Sequence, residues 1–284
     1  MNGTNAAALF TRRRQAARGR VRRRAWYNDA VTATTLFQRT SGPPGAPVLL
    51  LGGSLGSNLD MWRPQLPALA DLRVVRFDHR GHGASPAPPG PYRLEDLGRD
   101  VLALLDRLGI AKASYCGLSL GGMVGMWLAA NAPERIEKLV LICTAAHLPP
   151  ADGWAARAEQ VRTAGMGSIA DAVLGRWFTP RFRAALPAKV APYRAMIAAC
   201  PAEGYAGCCE AIGGMDLRDD LPRITAPTLV IAGADDPATP PEHGERIHAG
   251  IAGSRLVVLP GAAHLANVEQ ADAIAQLIHD HVRG

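Results

Sequence analysis

Short apolar runs recur along this chain, most of them leading through a turn into a helical pattern. They are Val48–Leu51, Val74–Phe77, Ala113–Gly117, Leu139–Cys143, Thr228–Ala232 and Arg255–Leu259. Runs of this length without polar alternation suit strands buried on both faces, and parallel strands need long, usually helical, crossovers. Between them, Leu94, Leu97, Val101, Leu104, Leu105 and Leu108 keep a helical period that stops at Gly109, and a second helix is expected from Ser119 to Asn131, before Pro133. A further strand is read at residues 32–39, followed by a turn at Ser41–Gly45. The alternation predicts an α/β fold, a mostly parallel sheet with helices on both faces.

One stretch breaks the rhythm. Residues 147–220 contain Trp154, Trp177, Phe178 and Tyr193 in helical patterns and no convincing strand. They are read as a helical lid inserted into a core of residues 31–146 and 221–284, lying over the C-terminal edge of the sheet, where open α/β folds place ligands. A chain of 284 residues has room for one such domain with its insertion.

The formal charge of +6 raises the question of a polyanionic partner, but eight arginines and no acid fall within residues 1–28, so the rest carries −2. The basic character belongs to a tail, residues 1–30, expected to be disordered, and neither nucleic acid nor membrane is expected as a partner. No apolar run reaches the roughly 18 residues of a membrane span, and no secretory leader is visible, so a cytoplasmic location is expected. Five cysteines, without CxxC spacing, argue against a zinc site or a disulfide framework.

Chemistry concentrates in three places. Gly117-Leu-Ser119-Leu-Gly121 follows a strand and opens a helix, the context of a nucleophile elbow: a tight turn exposes the serine at a helix N-terminus, and small neighbours let the backbone pass. A serine hydroxyl needs a base. His264, just past the strand ending at Leu259, is placed for that role, whereas His79 and His82 look like structural loop residues, and His243, His248, His279 and His281 fall on helix surfaces. The acid belongs at a strand end between serine and histidine, where Asp235 and Asp236 compete. The order Ser…Asp…His is that of the α/β-hydrolase fold. Oxyanion donors are expected from the N–H of Leu120 and from the loop Gly52–Gly56, with Leu55 the choice within it.

These features, with Gly53-Ser-Leu-Gly-Ser-Asn-Leu-Asp-Met-Trp62, Tyr205–Ile212, Met215–Arg218, Ala232–Pro240 and Ala263–Gln270, resemble the 3-oxoadipate enol-lactonases over residues 33–284. Gly53 stands where that family usually has Asn, and Ala271 where it has Pro. The resemblance implies the α/β-hydrolase fold, the aspartate that precedes proline (Asp236), and the Leu55 N–H as oxyanion donor. It also implies hydrolysis of a small-molecule lactone without metal or organic cofactor. A substrate carboxylate would need a cation, and Trp154 with Arg157, three residues apart on one helix face, is the chosen pair. Other serine-hydrolase chemistry on the same fold is the alternative: carboxylesterase, other lactonase, perhydrolase or C–C hydrolase. A non-catalytic ligand-binding protein is the remote one. The sequence leaves the oligomeric state open.

Overall fold

A computed structural model of the protein describes residues 33–284; the basic tail read at residues 1–30 lies outside the described residues. Among the described residues, seven strands form one sheet: β1 (Gln38–Ser41), β2 (Val48–Gly52), β3 (Arg73–Phe77), β4 (Ala113–Leu118), β5 (Ile136–Ile142), β6 (Thr228–Gly233) and β7 (Arg255–Leu259). Their spatial order is β1-β3-β2-β4-β5-β6-β7. β1 alone runs antiparallel, pairing Gln38 with Phe77 and Ser41 with Val74 at the sheet edge, and every other pair is parallel. It begins at Gln38 rather than at residue 32: the segment before it is held instead by side chains, Thr34 N–H donating to Asp100 Oδ1 at 2.6 Å and Phe37 N–H to Ser85 Oγ at 2.8 Å.

Among the described residues there are ten α-helices: α1 (Leu94–Arg107), α2 (Leu120–Asn131), α3 (Ala151–Ala164), α4 (Ala170–Trp177), α5 (Pro180–Ala185), α6 (Pro187–Ala198), α7 (Ala202–Gly214), α8 (Pro241–Gly250), α9 (Ala266–Glu269) and α10 (Ala271–Arg283). The sequence explains which are sandwiched. α2 is apolar nearly all round and buried along its length, packing on β2, β4 and β5, as a helix without a polar face must. α1 and α10 are amphipathic and bury one face, made mainly of Leu, Ile and Val, with Asp96 and Asp100 buried beside them in α1.

The helices α3 to α7 lie between β5 and β6 and form a helical cap. Polar and close-packed contacts fix it to the core. Thr179 donates both its N–H and its hydroxyl to Glu269 Oε1 at 2.8 Å, and Leu265 N–H reaches Trp177 O at 2.9 Å. At the other end α7 meets the loop after β3 backbone to backbone, since a β-carbon on Gly204 would overlap the Cα, carbonyl carbon and oxygen of Gly81. Beneath that contact, Arg80 makes a two-pronged ion pair with Asp100, Nε–Oδ2 2.5 Å and Nη2–Oδ1 2.7 Å, both side chains being fully buried.

The β-strands that feed the cap end on a common edge. The chain leaves β2 toward β3 on one side and reaches β4 on the other, so the sheet has its topological switch point between β2 and β4, the place where open α/β sheets form a crevice.

Two substitutions test this account. Gly204→Ala forces α7 away from Gly81, an overpacking expected to cost about 1–3 kcal/mol; an unchanged urea midpoint would show that the helix can shift without loss. Asp100→Ala leaves the Arg80 guanidinium buried and unpaired, and is expected to destabilise by about 3–5 kcal/mol in the same assay.

Candidate active site

The elbow at the end of β4 is built by backbone contact. Ser119 has φ 56° and ψ −114°, a conformation that a non-glycine residue holds only under constraint from its surroundings. The constraint is visible. Ser119 N–H donates to Ile142 O at 2.9 Å, Ser119 O accepts from Thr144 Oγ1 at 2.7 Å, and Gly121 N–H donates to Gly53 O at 2.9 Å. Both glycines of the motif are required by close approach: a β-carbon on Gly117 would overlap the Gly121 carbonyl, and one on Gly121 would overlap Gly52 O. The serine caps α2, at the positive end of its dipole.

Histidine and aspartate arrive from two neighbouring strand ends. Asp236 follows β6, His264 follows β7, and Asp236 Oδ2 lies 2.8 Å from His264 Nδ1. A carboxylate oxygen only accepts, so Nδ1 carries a hydrogen toward Asp236. Asp236 also accepts from the N–H groups of Ala238 (2.8 Å) and Thr239 (3.1 Å) and from Thr239 Oγ1 (2.7 Å). Burial pushes the Asp236 carboxyl up. The adjacent His264 and the hydrogen bonds from His264 and Thr239 outweigh that and hold it below the usual carboxylate range. Asp235 is different in kind: it is exposed, and its backbone N–H is tied to Ala262 O at 3.0 Å. The loop carrying His264 is braced by Glu269, whose Oε2 accepts the Ala263 N–H at 2.5 Å while Oε1 holds Thr179 of the cap.

The loop after β2 supplies a further wall. Ser54 N–H is used by Met61 Sδ (3.3 Å), Gly56 N–H by His82 Nε2 (2.9 Å) and Ser57 N–H by Ser54 O (3.0 Å). Leu55 lies between these engaged groups and lines the cavity with Ser119 and His264. Leu120, the first residue of α2, has its N–H in the first turn, where a helix has no internal partner for it.

Ser119, His264, Leu55, Trp154 and Arg157 thus face one cavity of about 60 Å³, with Asp236 behind the histidine. Four of the cap arginines fall into two groups. Arg162 is taken by Glu203 (2.9 Å) and Glu210 (2.6 Å), and Arg194 by Asp171 (2.6 Å). Arg157 and Arg176 line the cavity instead. Arg157 sits 5.6 Å over the Trp154 ring and 5.8 Å over that of Tyr205, while Trp154 Nε1 donates to Leu148 O at 2.9 Å. Sequence reasoning had not singled out Arg176, Trp177, Tyr205, Thr239 or Glu269. The last three lie inside quoted motif segments, but nothing in their spacing distinguished a site role from packing. Among the described residues, no cluster of three or more His, Cys, Asp or Glu is arranged to hold a metal ion.

Comparison with known proteins agrees with this architecture. A profile of the alpha/beta hydrolase fold family matches residues 46–271. 3-Oxoadipate enol-lactonase 2 of Acinetobacter baylyi is 45% identical over 250 residues, covering 87% of this chain and 93% of that protein. 3-Oxoadipate enol-lactonase 1 of the same organism is 37% identical, covering 88% and 93%. The crystal structure of the enol-lactonase from Burkholderia xenovorans LB400 superposes with a TM-score of 0.87 at 45% identity, covering 90% of this chain and 99% of that one. With a sheet, elbow and cap of this kind, and relatives this close over nearly their whole length, the chain belongs to the α/β-hydrolase family and, within it, to the group of the 3-oxoadipate enol-lactonases.

Proposed function

We propose that this enzyme opens 3-oxoadipate enol-lactone to 3-oxoadipate through an acyl-enzyme on Ser119. The observation that carries the reading is the convergence of Ser119, the Asp236–His264 pair and the Leu55 loop on one cavity that also holds two cap arginines. Ser119 Oγ attacks the lactone carbonyl as His264 Nε2 takes its proton, and Asp236 keeps the ring oriented and stabilises the imidazolium. The carbonyl oxygen becomes an oxyanion between the N–H groups of Leu55 and Leu120. Collapse breaks the bond to the ring oxygen, which leaves as an enol on the tethered acyl chain, takes the proton from His264 and tautomerises to the ketone. Water then attacks the ester, again with His264 as base, releasing the diacid and restoring the serine. No step needs a cofactor.

The substrate carries a free carboxylate, which an apolar wall would desolvate at a cost. We assign Arg157 as its partner, with the ring against Trp154 and Arg176 as a second positive charge nearby. The five cysteines are free and buried, which goes with a reducing compartment, and we place the reaction in the cytoplasm. A general carboxylesterase is the second reading; the arginines favour the anionic lactone over a neutral ester.

Ser119→Ala and His264→Ala are each expected to lower kcat by about 10⁴–10⁶ while the fold persists, because triad members act as a unit. The loss is read from ultraviolet absorbance as the enol-lactone opens, and ordinary turnover by Ser119→Ala would end the covalent scheme. Asp236→Asn is expected to be far more damaging than Asp235→Asn, since only the buried carboxylate accepts from the imidazole; the reverse ranking would reassign the acid. Arg157→Ala is expected to weaken kcat/KM by about 1.5–3 kcal/mol on the carboxylated lactone, the worth of a hydrogen bond to a charged group. A neutral ester of similar size should be almost unaffected. Equal losses on both substrates would mean that Arg157 holds the cap rather than the carboxylate.

A further inference from the structure

An oxyanion donor works only if its direction is set before the charge develops. Two contacts set it for Leu55. The Ser54 carbonyl and the Leu55 N–H share one planar trans peptide and point opposite ways. Ser54 O accepts from Ser57 N–H at 3.0 Å and from Ser57 Oγ at 2.7 Å. Ser57 Oγ also lies 3.0 Å from Met61 Sδ, but it has a single hydrogen, and the carbonyl is the nearer and stronger acceptor. With Ser54 O held, the Leu55 N–H is directed to the opposite side. The next peptide plane is held by His82: Gly56 N–H donates to its Nε2 at 2.9 Å, and its Nδ1 lies 3.1 Å from Arg80 O.

The pairing dictates the state of His82. A carbonyl oxygen can only accept, so Nδ1 carries the hydrogen and Nε2 offers the lone pair; a protonated ring would lose the Gly56 contact. Burial lowers the His82 pKa to about 4, which keeps the acceptor available through the neutral range. The Arg80 carbonyl is itself immobilised, because the Arg80 side chain is locked on Asp100.

We propose that Ser57 and His82 are positioning residues that fix the peptide planes on either side of Leu55 and so aim its N–H at the oxyanion. Neither residue itself lines the cavity, and each acts through the loop. The inference rests on Ser119 being the nucleophile, and the test separates the two. Phenylboronic acid forms a tetrahedral adduct with an activated serine and places an oxygen in the oxyanion position. For Ser57→Ala and His82→Leu, boronate affinity and kcat are expected to fall together by about tenfold or more, less than the 10²–10³ cost of deleting a donor outright. Binding of the product 3-oxoadipate, which has no tetrahedral centre, is expected to stay within about twofold. His82→Gln retains an acceptor for Gly56 and a donor for Arg80, and is expected to recover much of the loss; it also serves should the leucine variant fail to fold. No boronate adduct on the unaltered enzyme would overturn the nucleophile and this inference with it. An adduct whose affinity is unchanged in folded Ser57→Ala and His82→Gln or His82→Leu variants would overturn this inference alone. A parallel loss of product binding would reduce both residues to general supports of the fold.

Discussion

The contact on which the rest of the site depends is the hydrogen bond from Gly121 N–H to Gly53 O, 2.9 Å long, across the switch point of the sheet. It ties the helix that begins at the elbow to the loop that follows β2. It extends the β2–β4 pairing, which ends with Gly52 beside Gly117, into the loop and the helix. With it, the Ser119 hydroxyl and the N–H groups of Leu55 and Leu120 proposed to face it share one frame. The bond forms only because Gly121 has no side chain to keep the Gly52 carbonyl at a distance.

Around that frame the molecule places its charges unevenly. Asp236 is buried yet ionised, since it accepts four hydrogen bonds, from Ala238, from both groups of Thr239 and from His264. The lone pairs that burial would otherwise leave bare are used. Arg80 and Asp100 do the same for each other under α7, so the loop that carries His82 is anchored by a pair that serves no chemistry of its own. On the cap, acids neutralise Arg162 and Arg194 at the surface, while Arg157 and Arg176 face the cavity. Two cap arginines thus lie beside Ser119 without an acid partner in the ion-pair network of the cap surface.

Glu269 links the two halves of the site. One carboxylate oxygen holds Thr179 of the cap and the other holds Ala263, next to the candidate base. Beside it, Leu265 N–H donates to Trp177 O at 2.9 Å, so the loop of His264 is tied to the cap by a side chain and by the backbone. Both ties lie in the short segment between β7 and α10.

Much of this was readable from residues alone, and the reasons are local. Apolar runs without alternation mark buried parallel strands, and Gly-x-Ser-x-Gly between a strand and a helix marks the elbow, because both depend on neighbours in sequence. The choice of Asp236 over Asp235 did not follow from spacing; it needed the resemblance, and the structure adds a physical reason, since one side chain is buried against His264 and the other is exposed. The start of β1 was misjudged because side chains of Asp100 and Ser85, distant in sequence, hold the segment that looked like a strand. The partners of each cap arginine, the tautomer of His82, the double grip of Glu269 and the direction of the Leu55 N–H depend on atoms between 2 and about 90 positions apart along the chain. The sequence by itself determined the periodicities, the turns and the order of the chemical groups, since those are set within a few residues. Only tertiary structure decided which groups meet, because a hydrogen bond or an ion pair is a matter of ångströms between segments that local patterns do not relate.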